Sequence, residues 1–383
     1  MGKLALYGGK PLREASWPSW PVHDGTECRA LSRVYARGVY RVGEESAAFA
    51  RQFADFCGAR YCIPVANGTV SLELIFRALG IGRGDEIILP PYTFIASYSA
   101  IRFVGATPVF ADISPIDYNL DPDAVECAVT PRTRAILAVS VGGRPVDYDA
   151  LSAVAEKHGI ALVGDAAQAV GASFRGTDVA SLGTAASISC QNSKNLTCGE
   201  GGIITTNDQS LYEAVTAMLS GGDDTHLALD SGITEFGAAI LSAQLARLPA
   251  QMETRSVNAA YLDELLTPFG FVAPLPADAC VTRNAYHLYF VRVLEDRLGG
   301  VSRDSFLRAV AAEGVPISSG YRPLYTFPGV NEPHDCPVAD RIAAHEASWI
   351  TQNALLSARG DMRDIAQAME KVYACLDELR EGK

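Results

Sequence analysis

Apolar and polar positions along the chain alternate between two periods. Residues 44–56 (EESAAFARQFADF) carry apolar side chains at helical spacing, and Gly58 follows, where a helix can stop. Residues 61–66 (YCIPVA) form a short apolar run that predicts a strand. Asn67-Gly68-Thr69 breaks this run, and residues 71–79 resume the helical spacing. The rhythm continues with strands at 86–89, 107–111, 135–140 and 160–163, and helices at about 94–104 and 149–158. Short apolar strands alternating with helices predict an α/β fold: a mostly parallel sheet with helices on both faces.

Residues 235–266 read as helical throughout, and the texture changes after Gly270. Residues 285–293 (AYHLYFVRV) alternate as a strand does, and helices are expected at 302–313, 339–353 and 362–380. A chain of 383 residues is long for one core. The expected division is a large α/β unit, 1–260, with an N-terminal arm at 1–25, and a smaller C-terminal α+β unit, 261–383.

Composition narrows the function classes. Hydrophobic residues make up 48% and the net charge is −12, an acidic balance that argues against a nucleic-acid partner. No apolar run is long enough for a membrane helix, and the N-terminus has no signal-peptide core. The nine cysteines form no CxxC pair and the six histidines show no ligand spacing, so no metal site is expected. Scattered thiols point to a reducing, cytoplasmic setting. An anion must then be held by a local device against an acidic background.

Residues 187–202 (SISCQNSKNLTCGEGG) place one lysine, Lys194, between a polar turn and a glycine-rich turn, ahead of an apolar strand at 203–206. Lysine is the side chain that forms an imine with an aldehyde cofactor, although most lysines are solvated surface residues. Asp165 closes an apolar strand and precedes two alanines. A carboxylate at a strand's carboxyl end can pair with a protonated pyridine nitrogen or simply cap a helix. Asn67-Gly68-Thr69 opens a helix after a strand, where backbone N–H groups and the helix dipole can bind phosphate or merely make a turn. Ser189 could add a phosphate contact. No Walker P-loop occurs and no GxGxxG follows a strand.

The order of these features is more specific than any one of them. The stretch from about Trp17 to Leu266 resembles the aminotransferases of the DegT/DnrJ/StrS type. These act with pyridoxal 5′-phosphate (PLP) on keto-sugars and ketocyclitols, on an aspartate aminotransferase-like (fold type I) scaffold. The residues that carry the resemblance are VANGTVSLELIFRALGIGRGDEIILPPYTFIASYSAI, GATPVFADI, YNLDP, VTPRTRAILAV, GDAAQAVGA, SKNLTCGEGG and AQLARL. The resemblance implies that Lys194 is the Schiff-base lysine and proton shuttle, and Asp165 the partner of the ring nitrogen. It implies that Gln168 lies beside the phenolic oxygen, and that Gly68, Thr69 and Ser189 contact the phosphate. Phe94 matches the aromatic that stacks on the ring, with Tyr92 as the fallback. It also implies a homodimer with sites at the subunit interface.

Departures from the family pattern bear on the acceptor. Cys190 and Gln191 stand where members often have Phe-His, and a glutamine there looks like the cyclitol and aminohydroxybenzoate branches. Ser140 replaces a common histidine and Gly164 a common glutamate. Asp230 and Gly232 fall where an asparagine and an arginine are usual, which puts a cross-subunit phosphate contact in doubt. The short loop before them carries Asp223, Asp224 and His226, poor partners for a diphosphate. Arg322 and Tyr321 (SSGYRPLY) are the candidate substrate contacts. The expectation is amino transfer from L-glutamine or L-glutamate to a ketone on a cyclitol or sugar-like ring, as in aminoglycoside-type biosynthesis. Alternatives are a nucleotide-linked keto-sugar as acceptor, a PLP-dependent elimination, or a regulatory protein that kept the pocket. Retention of Lys194, Asp165 and Gln168 favours transamination.

Overall fold

The computed structural model describes residues 3–381. Its first unit is built on a sheet whose strands, in chain order, are β1 (Tyr61–Val65), β2 (Glu86–Leu89), β3 (Thr107–Phe110), β4 (Thr133–Val139) and β5 (Ala161–Asp165). A short hairpin, β6 (Ser173–Phe174) and β7 (Thr177–Asp178), precedes β8 (Ala185–Ser189) and β9 (Gly202–Thr206). The seven-stranded order is β1-β9-β8-β5-β4-β2-β3. β3, β2, β4, β5 and β8 run parallel, while β9 is antiparallel to both of its neighbours. The reversal follows from the connection. β8 and β9 are joined directly by residues 190–201, with no crossover helix, and a strand returning beside its predecessor must run the other way.

The expected helices on this sheet are present as α1 (Thr26–Arg37), α2 (Glu44–Cys57), α3 (Gly68–Ala78), α4 (Ile95–Phe103), α5 (Pro122–Ala128), α6 (Tyr148–His158) and α7 (Gln209–Leu219). α1, α5 and α7 were not anticipated from the pattern. Two apolar clusters line the sheet. One gathers Phe49, Phe53 and Ile136 with Leu241 and Leu248, and the other Leu74, Ile75, Ile87 and Leu137. Helix α8 (Glu235–Leu266) has 32 residues and crosses position 260 without a break. Its first half packs on α1 and α2, with Leu241, Leu245 and Leu248 in the first cluster. Its last turns place Ala259, Leu262 and Leu266 in a third cluster.

That third cluster belongs to the C-terminal part, whose elements are β10 (Val272–Pro274), β11 (Val281–Arg283), β12 (Leu288–Val293), α9 (Arg303–Ala312), β13 (Ile317–Ser319), α10 (Pro337–Arg341), β14 (Ala347–Thr351), α11 (Met362–Ala374) and α12 (Leu376–Glu381). Its sheet has the order β10-β12-β14-β13 and is antiparallel. Residues 4–12 dock here rather than on the large unit. The fully buried carboxylate of Glu313 accepts from Ala5 N at 2.9 Å and Leu12 N at 3.0 Å, and pairs with Lys371 at 2.7 Å.

The helix expected at 339–353 holds only in its first half: α10 runs to Arg341 and a π-helix continues it over Ile342–Glu346, but Ala347–Thr351 is the strand β14. The segment Ser348-Trp349-Ile350-Thr351 is rich in aromatic and β-branched residues, and β14 is hydrogen-bonded on both sides, to β12 and β13. Pairing at the centre of a sheet overrides a weak helical pattern. The helix expected at 362–380 is likewise broken at Cys375 into α11 and α12.

Candidate functional site

Four chain segments end at one edge of the seven-stranded sheet. Asp165 is the last residue of β5 and pairs in register with Val139 of β4 and Ser187 of β8. Ser189 ends β8, and Asn67 leads from β1 into α3. These are the carboxyl ends of neighbouring strands, where open α/β sheets bind ligands. A cavity of about 790 Å³ lies there. Its walls include Gly68, Thr69, Phe94, Asp165, Gln168, Ser189, Gln191, Lys194, His287 and Tyr321. The structure thus brings together nearly all the residues singled out in the sequence.

The start of α3 is shaped for an anion. Asn67 caps the helix by accepting from Val70 N at 2.9 Å, and none of the described residues accepts from the N–H groups of Gly68 and Thr69. Unpaired N–H groups at a helix start attract anions. The backbones here approach closely. A Cβ on Gly68 would meet Ser189 Cβ at 2.8 Å, and one on Gly202 would meet the Asn67 carbonyl carbon at 2.4 Å. Both positions therefore require glycine.

Asp165 is 6% exposed. Its Oδ2 accepts from Ser97 Oγ at 2.8 Å and its Oδ1 from Ala167 N at 3.1 Å. Burial pushes its carboxyl above the usual carboxylate value, opposed by these two hydrogen bonds and by the charge of Lys194. Lys194 sits on the 190–201 connection. Burial there holds its ammonium below the usual lysine value, against the pull of Asp165. A desolvated lysine with a lowered pKa is a better nucleophile toward a carbonyl. The connection is braced from within: Thr197 Oγ1 donates to Cys190 O at 3.0 Å, and Lys194 N donates to Gln191 O at 2.9 Å.

Gln168 is fully committed. Its Oε1 accepts from Gly142 N at 2.7 Å, and its Nε2 donates to the Tyr321 hydroxyl at 3.0 Å. Burial pushes that hydroxyl up to about 12, so it stays protonated, with its own hydrogen free to point into the cavity. Gln191 turns inward on its own loop, where Oε1 accepts from Ser193 N and Ser193 Oγ, both at 2.8 Å. Phe94 is 55% exposed and stands on the cavity wall. Tyr92 is fully buried below it, edge-on to Tyr118 and Tyr321, and has no face free for a cofactor ring.

One sequence candidate behaves differently from expectation. Arg322 is not on the cavity wall. It is exposed, and its guanidinium lies 3.8 Å from the centre of the Phe327 ring. Asp230 is exposed and ion-paired with Arg41. Asp223 accepts from Thr225 N at 2.8 Å and His226 N at 2.6 Å, which closes the 223–226 turn on itself.

The sequence pattern missed His287 and Ser97. His287 enters the site from the C-terminal part, just before β12, and lines the cavity. Burial, with the charges of Lys194 and Arg255, pushes its imidazole well below the usual value, so the ring is neutral. Its only sequence signal was a histidine in an alternating apolar run. Ser97 lies in the FIASYS segment, but nothing in the spacing ties it to Asp165.

The geometry fits a phosphorylated pyridine aldehyde: an N–H cradle that excludes a Cβ, a buried carboxylate, and a desolvated lysine around one cavity. Comparison with known proteins agrees. Residues 21–370 match the model of the DegT/DnrJ/EryC1/StrS aminotransferase family. The chain is 37% identical to an L-glutamine:2-deoxy-scyllo-inosose aminotransferase of Streptomyces lividus, over 96% of this chain and 97% of that protein. It is 34% identical to an L-glutamine:scyllo-inosose aminotransferase of Streptomyces griseus, over 99% and 98%. Among solved structures it superposes on 3-amino-5-hydroxybenzoic acid (AHBA) synthase with a TM-score of 0.87 and 32% identity, covering 94% of this chain and 99% of that one. It matches DesI, solved in the presence of its TDP-sugar product, with a TM-score of 0.88 and 29% identity over 99% and 97%. On the family match and the relatives' coverage together, this chain is a PLP-dependent aminotransferase and belongs to the DegT/DnrJ/EryC1/StrS aminotransferase family.

Proposed function

We propose that the protein transfers the amino group of L-glutamine to a ketone on a polyhydroxylated six-membered carbocycle of the inosose class, within aminocyclitol antibiotic biosynthesis. The observation that carries this reading is the agreement of its relatives. Full-length matches at 34–37% identity are L-glutamine-dependent aminotransferases named for scyllo-inosose or 2-deoxy-scyllo-inosose. The cavity is consistent with an uncharged ring. None of the described arginines lines it, whereas a nucleotide diphosphate is usually met by Arg or Lys forks.

The bound cofactor supplies a conjugated ring that withdraws electrons from the substrate carbon bearing the nitrogen. The chain's residues do the rest. Lys194 Nζ would hold the cofactor and would carry the proton to and from that carbon. Asp165 would hold a proton on the ring nitrogen, with Ser97 and Ala167 N keeping its carboxylate in place. The N–H groups of Gly68 and Thr69, with the Ser189 hydroxyl, would take the phosphate. Phe94 would cover one face of the ring. Tyr321, tethered by Gln168, would donate to a substrate oxygen, and the neutral imidazole of His287 on the same wall would accept from a ring hydroxyl. Both half-reactions share one pocket, so L-glutamine and the ketone bind in turn.

We also assign a homodimer. Tyr35, Val39, Tyr40 and Val42 are large apolar side chains exposed by 45–73% within one stretch, more than a lone surface usually presents. Nine free cysteines and no described helix able to cross a membrane accord with a cytoplasmic setting.

The test is a donor and acceptor panel read by mass spectrometry. L-Glutamine with scyllo-inosose or its 2-deoxy analogue should give the aminocyclitol. A strong preference for a dTDP- or UDP-linked keto-sugar would move the enzyme to the nucleotide-sugar branch. Borohydride reduction and peptide mapping should mark Lys194, and a label elsewhere would overturn its assignment.

A further inference from the structure

Behind the catalytic cavity lies a second cleft of about 440 Å³, between the turn that follows β4, the second half of α8 and the loops flanking β11. Arg144 forms part of its wall. It is only 6% exposed, yet among the described residues its guanidinium makes a single hydrogen bond, from Nη1 to Pro276 O at 2.7 Å, and its buried Nε has no described partner. Asp117 and Asp263 act on it only from beyond ion-pair distance. A nearly buried guanidinium left this way is costly unless an anion completes it.

The same cleft carries the complementary charge. Glu253 lies on α8 with no described hydrogen bond or ion pair, and Ser256 and Asp263 share its face of the helix. Asp263 is occupied, accepting from the Tyr289 hydroxyl at 2.5 Å. Tyr286 lines the cleft with a hydroxyl that meets no described partner. Arg144 and Glu253 thus face one small space without closing on each other. A plain carboxylate would meet Arg144 and Arg283, which also lines the cleft, but would face three carboxylates on the same walls, Glu253, Asp263 and Asp278. A molecule with a carboxylate and an ammonium on one carbon meets both signs.

We propose that this cleft is a second binding site for a small zwitterionic α-amino acid, with its carboxylate on Arg144 and its ammonium on Glu253. The two cavities share a wall. Gly142 N donates to Gln168 in the catalytic cavity, and Arg144 follows two residues later in the cleft. Tyr286 lines the cleft and the next residue, His287, lines the catalytic cavity. Tyr286 is held at φ 49°, a conformation a large side chain seldom adopts. Occupancy of the cleft therefore bears on two residues that shape the active site.

Holoenzyme whose cofactor has been reduced onto the chain with borohydride cannot react with an amino donor. Calorimetric titration of that species with L-glutamine then reads binding alone. One saturable site is expected, weakened about tenfold or more in both Arg144→Gln and Glu253→Gln. Acetate and ethylamine, each carrying half of the charge pattern, should bind more weakly than L-glutamine by a similar factor. Glu253 is exposed, so Glu253→Gln keeps the fold and stays decisive if Arg144→Gln does not. No binding, or binding unchanged in Glu253→Gln, overturns the proposal. Acetate binding as tightly as L-glutamine overturns the zwitterion. The titration reads no turnover, so its failure is distinct from failure of the aminotransfer reading.

Discussion

Asn195 sets the tautomer of His287. Asn195 Nδ2 donates to Ala285 O at 2.7 Å, which leaves its Oδ1 to face His287 Nδ1 at 3.2 Å. An amide oxygen can only accept, so Nδ1 carries the proton and Nε2 is bare. Asn195 directly follows Lys194, so one residue orients both the lysine loop and an imidazole from the C-terminal part.

That arrangement predicts a level effect and no titration. His287→Asn should lower kcat by about tenfold. The kcat profile between about pH 6 and 8 should keep its shape, because the ring is already neutral in the native enzyme. A profile whose inflection disappears in the variant would show that His287 titrates in that range. Asn195→Ala should mimic the loss of kcat with the histidine intact.

Asp165→Asn should keep bound cofactor and lose about 100-fold or more in turnover. The amide oxygen can still accept from Ala167 N or Ser97, so the fold is kept, but a neutral amide cannot hold a proton on the ring nitrogen. Turnover is read by product formation and cofactor content by visible absorbance. Near-normal turnover would remove Asp165 from its role.

Gly68→Ala tests the cradle. Its Cβ would lie 2.8 Å from Ser189 Cβ, so one backbone must retreat from the site. Cofactor affinity should fall about tenfold or more, with a smaller change in kcat at saturating PLP. Equilibrium titration of the apoenzyme reads the first and steady-state kinetics the second. Unchanged affinity would place the phosphate elsewhere.

Asp178 gives a pH-dependent stability. Burial pushes its carboxyl up to about 7, opposed by the Ala180 N–H and by Arg283. The folded state therefore holds an extra proton between the unfolded value near 3.8 and about 7. Stability from this group is intact below that window and is lost as pH rises through it. Asp178→Asn keeps an acceptor for Ala180 N, at 2.9 Å in the native chain, and removes the charge. Its unfolding free energy should gain on the native protein from pH 4 to 7, by on the order of 1–3 kcal/mol. Denaturant melts across that range check the sign.

The sequence by itself determined the alternation of β1–β5 with α2, α3, α4 and α6 and the places of Asp165, Lys194 and Gly68. These depend on local causes: the period of apolar side chains, a strand end, a glycine between strand and helix. Asp165 ends β5 and Lys194 lies on the connection that leaves β8, so the parallel pairing of β5 with β8 brings these two to one edge, while Gly68, after β1, reaches it only through the antiparallel β9. Tertiary structure decided the rest. The 347–351 segment became a central strand because β12 and β13 were available on both sides. Tyr92 was buried and Phe94 left at the wall, though the two are near neighbours in sequence. Arg322 turned to Phe327, while adjacent Tyr321 was drawn to Gln168. His287 and Asn195 lie 92 residues apart, and no local period records their contact. Which side chain faces a shared cavity depends on how two separately built sheets dock, and that is settled by packing between distant residues.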